Sequence, residues 1–178
     1  MSSDDLGLFS YEILALVGAG GASAHDLRRL AQEVRMVAWA GESQYYVEPK
    51  RLARLGYLEA RKAPGRTRER TVYTLTDKGR EAIRAYARTP ARFTPFKSDA
   101  LLRLLLADLG GEGATRASLA ALRAELAELE AQLDAAAAGA EALPHRARYL
   151  RLAQDFLRRL IELHRELIDE VERELAPE

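Results

Sequence analysis

Residues 43–75 constrain the fold more than any other part of the chain. They read Ser-Gln-Tyr-Tyr-Val-Glu-Pro-Lys-Arg-Leu-Ala-Arg-Leu-Gly-Tyr-Leu, then a basic turn, then Thr-Val-Tyr-Thr-Leu. Leu52 and Leu55 sit at helical spacing, and Gly56 supplies a stop. Residues 57–62 and 71–75 are short runs of strand formers, and Ala63-Pro-Gly-Arg66 between them is a turn signal. The sequence therefore predicts a basic helix that feeds a two-stranded ribbon. Lys62, Arg66, Arg68 and Arg70 lie at or near the ribbon tip. A helix of this size fits a DNA major groove, and a cationic ribbon beside it reaches flanking phosphates. A winged helix-turn-helix is the expected architecture.

The flanking segments complete that domain. Ser10 is placed to cap a first helix, apolar over most of its circumference at Tyr11, Ile13, Leu14, Leu16 and Val17, which the glycines at 18–21 end. Ser23-Ala-His-Asp26 reads as a capping box with Asp in the Glu position. The helix behind it carries Leu27, Leu30, Ala31 and Val34 at i, i+3, i+4, i+7. Ser43 is the expected cap of the third helix. Pro49 interrupts that helix at a cost of roughly 3 kcal/mol. Regular helix from Glu48 and a kinked helix from Ser43 both satisfy the pattern, and we expect the kinked one. Thr76-Asp-Lys-Gly79 opens a fourth helix with Ile83, Tyr86 and Ala87 on one side; Gly79 is expected to be tolerable in its first turn.

Pro90 and Pro95 mark residues 90–97 as a linker. Three helical stretches follow. Residues 98–109 are leucine-dense. From Thr115, Leu119, Leu122, Leu126, Leu129 and Leu133 alternate spacings of three and four, a coiled-coil-like seam that Gly139 is expected to break. Residues 144–175 carry Leu152, Phe156, Leu160, Leu163, Leu167 and Val171 in one broad stripe. The two long segments are expected to form an antiparallel hairpin roughly 35 to 48 Å long. That is too long for a small N-terminal domain to cover, so a second copy of the chain is the expected partner. Leu119, Leu122, Leu126, Phe156, Leu160, Leu163, Leu167 and Val171 are the candidate dimerisation residues. The fold class is mostly α, with a winged helix-turn-helix domain over 1–89, a linker over 90–97 and a helical dimerisation domain over 98–178.

Net charge is formally zero, which argues against a nucleic-acid partner until its distribution is considered. Residues 1–89 hold 15 basic and 11 acidic side chains, and residues 90–178 hold 12 and 16. From Lys50 to Arg70 there are 8 basic residues against Glu59 and Glu69. Local charge, not the total, sets affinity for phosphate.

Other chemistries find little support. There is no cysteine, hence no disulfide or thiolate site, which fits a cytoplasmic location. The N-terminus lacks a signal pattern, and no apolar run nears the roughly 20 residues of a membrane span. His25, His145 and His164 lack metal-ligand spacing. The glycines at 18–21 lack the strand and lysine of a phosphate loop. No nucleophile–base pair is discernible, so neither an enzyme nor a bound cofactor is expected. Trp39 is a candidate for lining a ligand pocket, although such a residue more often packs within its own domain.

Several strings resemble the PadR family of winged-helix transcriptional regulators. They are Tyr11-Glu12-Ile13-Leu14-Ala15-Leu16, Ser43-Gln44-Tyr45-Tyr46, the run from Lys50 to Leu58, and Val72-Tyr73-Thr74-Leu75-Thr76-Asp77-Lys78-Gly79. The resemblance covers about residues 8–89 closely and the remainder mainly in architecture, like the branch with a long C-terminal helical domain. It departs from the family at Pro49, where an apolar residue is usual. It implies a homodimeric DNA-binding regulator, often a repressor, sometimes released by a small aromatic ligand. The expected DNA-contacting residues are Ser43, Gln44, Tyr45, Lys50, Arg54, Lys62, Arg66, Arg68 and Arg70. Tyr45 is expected toward the groove and Tyr46 in the core. Lys50 and Arg54 are expected at phosphates more than bases, and Arg70 has an alternative role supporting the strand. Two other readings stay open: a winged-helix protein-interaction module, and a ligand sensor without direct DNA readout.

Overall fold

The computed structural model describes residues 6–18, 20–33, 40–64, 69–93, 97–140 and 144–176. The chain divides into two compact units, Met1–Arg92 and Phe93–Glu178.

In the first unit, helices α1 (Leu8–Val17), α2 (Ala24–Glu33), α3 (Gln44–Arg54) and α4 (Asp77–Ala87) surround a small sheet. The strands are β1 (Ala22–Ser23), β2 (Leu58–Ala63) and β3 (Arg70–Leu75), in the order β1-β3-β2, all antiparallel. The sheet thus has a strand that the sequence did not announce. Ala22 and Ser23 pair with Tyr73 and Val72, and two residues are too few for alternation to register. Gly21 permits the pairing: its φ is 76°, and a Cβ there would sit 2.9 Å from the Tyr73 carbonyl oxygen. Ile13, Leu14, Val17, Leu27, Leu52, Tyr57, Leu58 and Tyr73 form the core.

The helix ends follow local chemistry with two exceptions. The Ser23–Asp26 capping box forms reciprocally: the Asp26 amide donates to Ser23 Oγ at 3.3 Å, and the Ser23 amide donates to Asp26 Oδ2 at 3.0 Å. Thr76 caps α4 by accepting from the Gly79 amide at 3.1 Å. Gly56, at φ 78°, ends α3 in a Schellman arrangement, with the Tyr57 amide donating to Leu52 and the Gly56 amide to Ala53. Ser10 does not cap α1. It lies inside the helix, buried, and donates to Glu48. Ser43 makes no side-chain cap, because its backbone is already helical at φ −61°, ψ −29°. The first α3 amides instead find carbonyls three residues back, Gln44 to Gly41 and Tyr45 to Glu42. Pro49 lies within α3 with its ring buried.

In the second unit, Ser98 caps α5 (Asp99–Leu105), followed by α6 (Ala107–Gly110), α7 (Glu112–Ala140) and α8 (Pro144–Glu174). The expected break at Gly139 is absent, since α7 continues through it to Ala140. The long helices are antiparallel. Arg116 reaches the Leu175 carbonyl, Arg123 pairs with Asp169 and Glu172, Arg165 with Glu130, and Arg158 with Asp134. Among the described residues no helix is long and apolar enough to cross a membrane.

The expected dimerisation stripe separates into two. Leu119, Leu126, Leu133, Leu157, Ile161, Ile168 and Val171 are buried within the hairpin. Leu119, Leu126 and Val171 are therefore corrected from an intermolecular to an intramolecular role. Phe156 and Leu163 point outward with Tyr149 and Leu152, all more than half exposed. Leu122, Leu160 and Leu167 lie half-buried between the two stripes.

Candidate nucleic-acid interface

The outward face of α3 is built by what its inward face buries. Tyr45, Glu48, Pro49 and Leu52 turn into the first unit. Gln44, Tyr46, Val47, Lys50 and Arg54 are left exposed, with Ser43 just before them. The two tyrosines exchange their expected places. Tyr45 is 2 % exposed, packs edge-on against Phe9 at 5.1 Å, and donates its hydroxyl to Glu12 Oε1 at 2.7 Å. Burial, then the hydrogen bond to Glu12, push its phenol well above the ordinary range. Tyr46 is 38 % exposed on the outward face, so it replaces Tyr45 as the candidate contact residue. Arg28 of α2 stands beside it. The Tyr46 hydroxyl and the Glu42 carboxylate, the latter 2.9 Å from Arg28 Nε, both favour the charged guanidinium.

The C-terminal end and the inner face of α3 are both fixed. At its C-terminal end, Lys78 Nζ donates to the Leu55 carbonyl at 2.7 Å and lies 4.3 Å from the centre of the Tyr57 ring. The Thr76 hydroxyl donates to the Gly56 carbonyl at 2.6 Å. The start of α4 thereby occupies carbonyls that the end of α3 leaves open. On the inner face, Glu48 is held by Ser10 and Arg51. Burial raises the Glu48 carboxyl, but hydrogen bonds from Arg51 and Ser10 outweigh it and bring the group below its ordinary value.

The cations between Lys50 and Arg70 fall into three sets. Arg51 pairs with Glu48, Arg61 with Glu59, and Arg70 with Asp26. Lys50, Arg54 and Lys62 are exposed, and among the described residues none is held by a carboxylate. Arg66 and Arg68 lie outside the described residues, as does Trp39. Arg70 has a partner within its own unit. Its guanidinium sits 3.4 Å from Asp26 Oδ2, so it ties the ribbon to the start of α2, the supporting role named as its alternative. Ser23 is the main cause of the lowered Asp26 carboxyl, through its hydroxyl and then its amide, with Arg70 contributing less. Sequence alone gave no sign of the Lys78 contact with Leu55 or the Glu48 contact with Ser10, whose partners are 23 and 38 positions apart.

No family model matches the sequence, and no curated protein matches it. Solved structures do. Bacillus subtilis PadR in complex with operator DNA superposes with a TM-score of 0.74 at 21% identity, over 97% of this chain and 98% of that one. The Vibrio cholerae virulence activator AphA gives 0.69 at 20% identity, over 93% and 96%. Bacillus subtilis PadR in complex with p-coumaric acid gives 0.64 at 19%, over 96% and 98%. The chain thus has the fold of the PadR-like transcriptional regulators, a winged helix-turn-helix followed by a long helical C-terminal unit.

Proposed function

We propose that the protein is a sequence-specific DNA-binding transcriptional regulator that works as a homodimer and represses its target. The observation that carries the reading is the outward face of α3. Gln44, Tyr46, Lys50 and Arg54 stand on it together, while the one acidic residue of the helix is turned inward. Gln44 has the donor–acceptor pair that matches adenine, and Lys50 and Arg54 suit phosphate or guanine. Lys62, with Arg66 and Arg68 assigned from sequence, extends the positive charge along the ribbon. The structural similarity to a PadR solved on operator DNA supports the same reading.

The test is a fluorescence-anisotropy titration against duplexes selected from a randomised pool, repeated across salt concentrations. Replacing Lys50 and Arg54 together by Ala weakens binding and lowers the salt slope by about 2 if both neutralise phosphates. The same change at Arg66 and Arg68 tests the ribbon. Unchanged slopes in both double variants would reject the assignment. A reporter driven by the selected site decides the sign of regulation. A small aromatic effector is the proposed releasing signal, and p-coumaric acid is the first compound to titrate, with Trp39 fluorescence as the readout.

A further inference from the structure

The DNA reading makes no use of Glu48, which is 8 % exposed on the inward face of α3. Glu48 Oε1 accepts from Ser10 Oγ at 2.7 Å and from Arg51 Nη2 at 2.7 Å. Its Oε2 accepts from Arg51 Nε at 2.8 Å. Arg51 Nη2 also donates to Ser10 Oγ at 3.1 Å, closing a ring of three side chains between α1 and α3. Three residues earlier on the same face, Tyr45 donates to Glu12, again on α1. Polar links at two points therefore join α3 to α1.

The two kinds of contact at this junction resist different motions. Apolar packing around Leu52 opposes separation but has no direction. Hydrogen bonds tolerate only a few tenths of an ångström and a narrow angle, so two of them oppose rotation of α3 about its axis. Side-chain tips stand about 5 to 6 Å from a helix axis. A rotation of about 20° therefore moves them about 2 Å, beyond the range of a hydrogen bond to a base edge. Long, flexible Lys and Arg side chains follow a phosphate through such a shift. Base readout does not survive it.

We infer that Glu48 is a positioning residue which, through Ser10, fixes the rotational setting of α3 and so controls discrimination between DNA sequences rather than adhesion to DNA. This rests on the DNA-binding reading above. The experiment uses the full chain as wild type, Glu48→Gln and Ser10→Ala. Each is titrated against the best selected duplex and against a scrambled duplex of equal length and composition, at several salt concentrations. Glu48→Gln lowers affinity for the selected duplex about tenfold, the size of losing one base contact. Ser10→Ala lowers it by a smaller factor in the same direction. Both leave affinity for the scrambled duplex, and its salt slope, at wild-type values. Equal losses on the two duplexes, or no loss on either, overturn the inference. If Glu48→Gln melts below the assay temperature, Ser10→Ala decides, since it removes one hydroxyl from a different helix. A wild type that prefers no duplex rejects the DNA reading itself. A selective wild type with equally selective variants rejects only the role of Glu48.

Discussion

Gly79 shows how one position carries a constraint that its residue type only partly signals. A Cβ there would lie 2.2 Å from the Tyr57 carbonyl oxygen, a contact with backbone that cannot yield cheaply. The same carbonyl accepts from the Thr76 amide at 3.2 Å. Gly79 thus lets the start of α4 close on the end of α3. The motif around it predicted a helix start, yet treated the glycine as merely tolerable. Gly79→Ala is expected to destabilise the first unit by about 3 kcal/mol, in the range of overpacking and backbone strain. Urea or thermal melts measure it, and a loss below about 1 kcal/mol would show that the junction relaxes freely. The exchange of Tyr45 and Tyr46 has a similar origin. Adjacent helical residues differ by about 100° in direction, and the seven-residue spacing from Tyr45 to Leu52 puts Tyr45, not Tyr46, on the face that Leu52 buries. Phe9 and Glu12 of α1 receive Tyr45 on that face.

Single elements were legible where their signals were local. The capping box, the glycine stop of α3 and the ribbon each depend on residues within a few positions of one another. Strand β1 was not legible, because it consists of two residues defined by their partner β3. On α8 the sequence shows one broad stripe, because a helix apolar on two sides gives a periodic signal that hides its division. Packing against α7 separates Leu157, Ile161 and Ile168 from Phe156 and Leu163. The capping box also predicts a dependence on pH. The Asp26 carboxyl is held below its unfolded value, chiefly by Ser23. A lowered carboxyl contributes stability above the unfolded pKa, lost as pH falls through the folded one. Ser23→Ala is expected to cost about 1 kcal/mol near neutral pH. It also flattens the fall in stability below about pH 4, because Asp26 then titrates more nearly as it does unfolded. Melts of both proteins from neutral to acid pH test this, and parallel curves would assign the acid transition to other carboxylates.

At the scale of the whole molecule, one chain leaves large apolar side chains uncovered. Tyr149, Leu152, Phe156 and Leu163 form an outward stripe on α8, and Leu105 and Leu109 are 78 % and 82 % exposed. Single exposed apolar residues need no explanation, but a contiguous set of large ones marks an interaction surface. Composition pointed to this only in outline, through a formal charge of zero concealing a basic first half and an acidic, leucine-rich second half. The inner and outer faces of α8 now allow the two roles to be separated. Ile161→Ala, on the inner face, is expected to cost the second unit about 3 kcal/mol through the cavity it leaves. Replacing Leu152, Phe156 and Leu163 together by Gln removes no buried side chain, so helix content stays at the wild-type level. Sedimentation equilibrium is expected to show the mass of two chains for wild type and of one chain for the triple variant. Paired half-sites gain affinity only when two winged helices arrive joined. The triple variant therefore binds the selected duplex no better than a single half-site, while its contacts within that half-site persist. A triple variant that still sediments as two chains would move the interface elsewhere. A monomeric wild type would remove the reason for expecting a palindromic site.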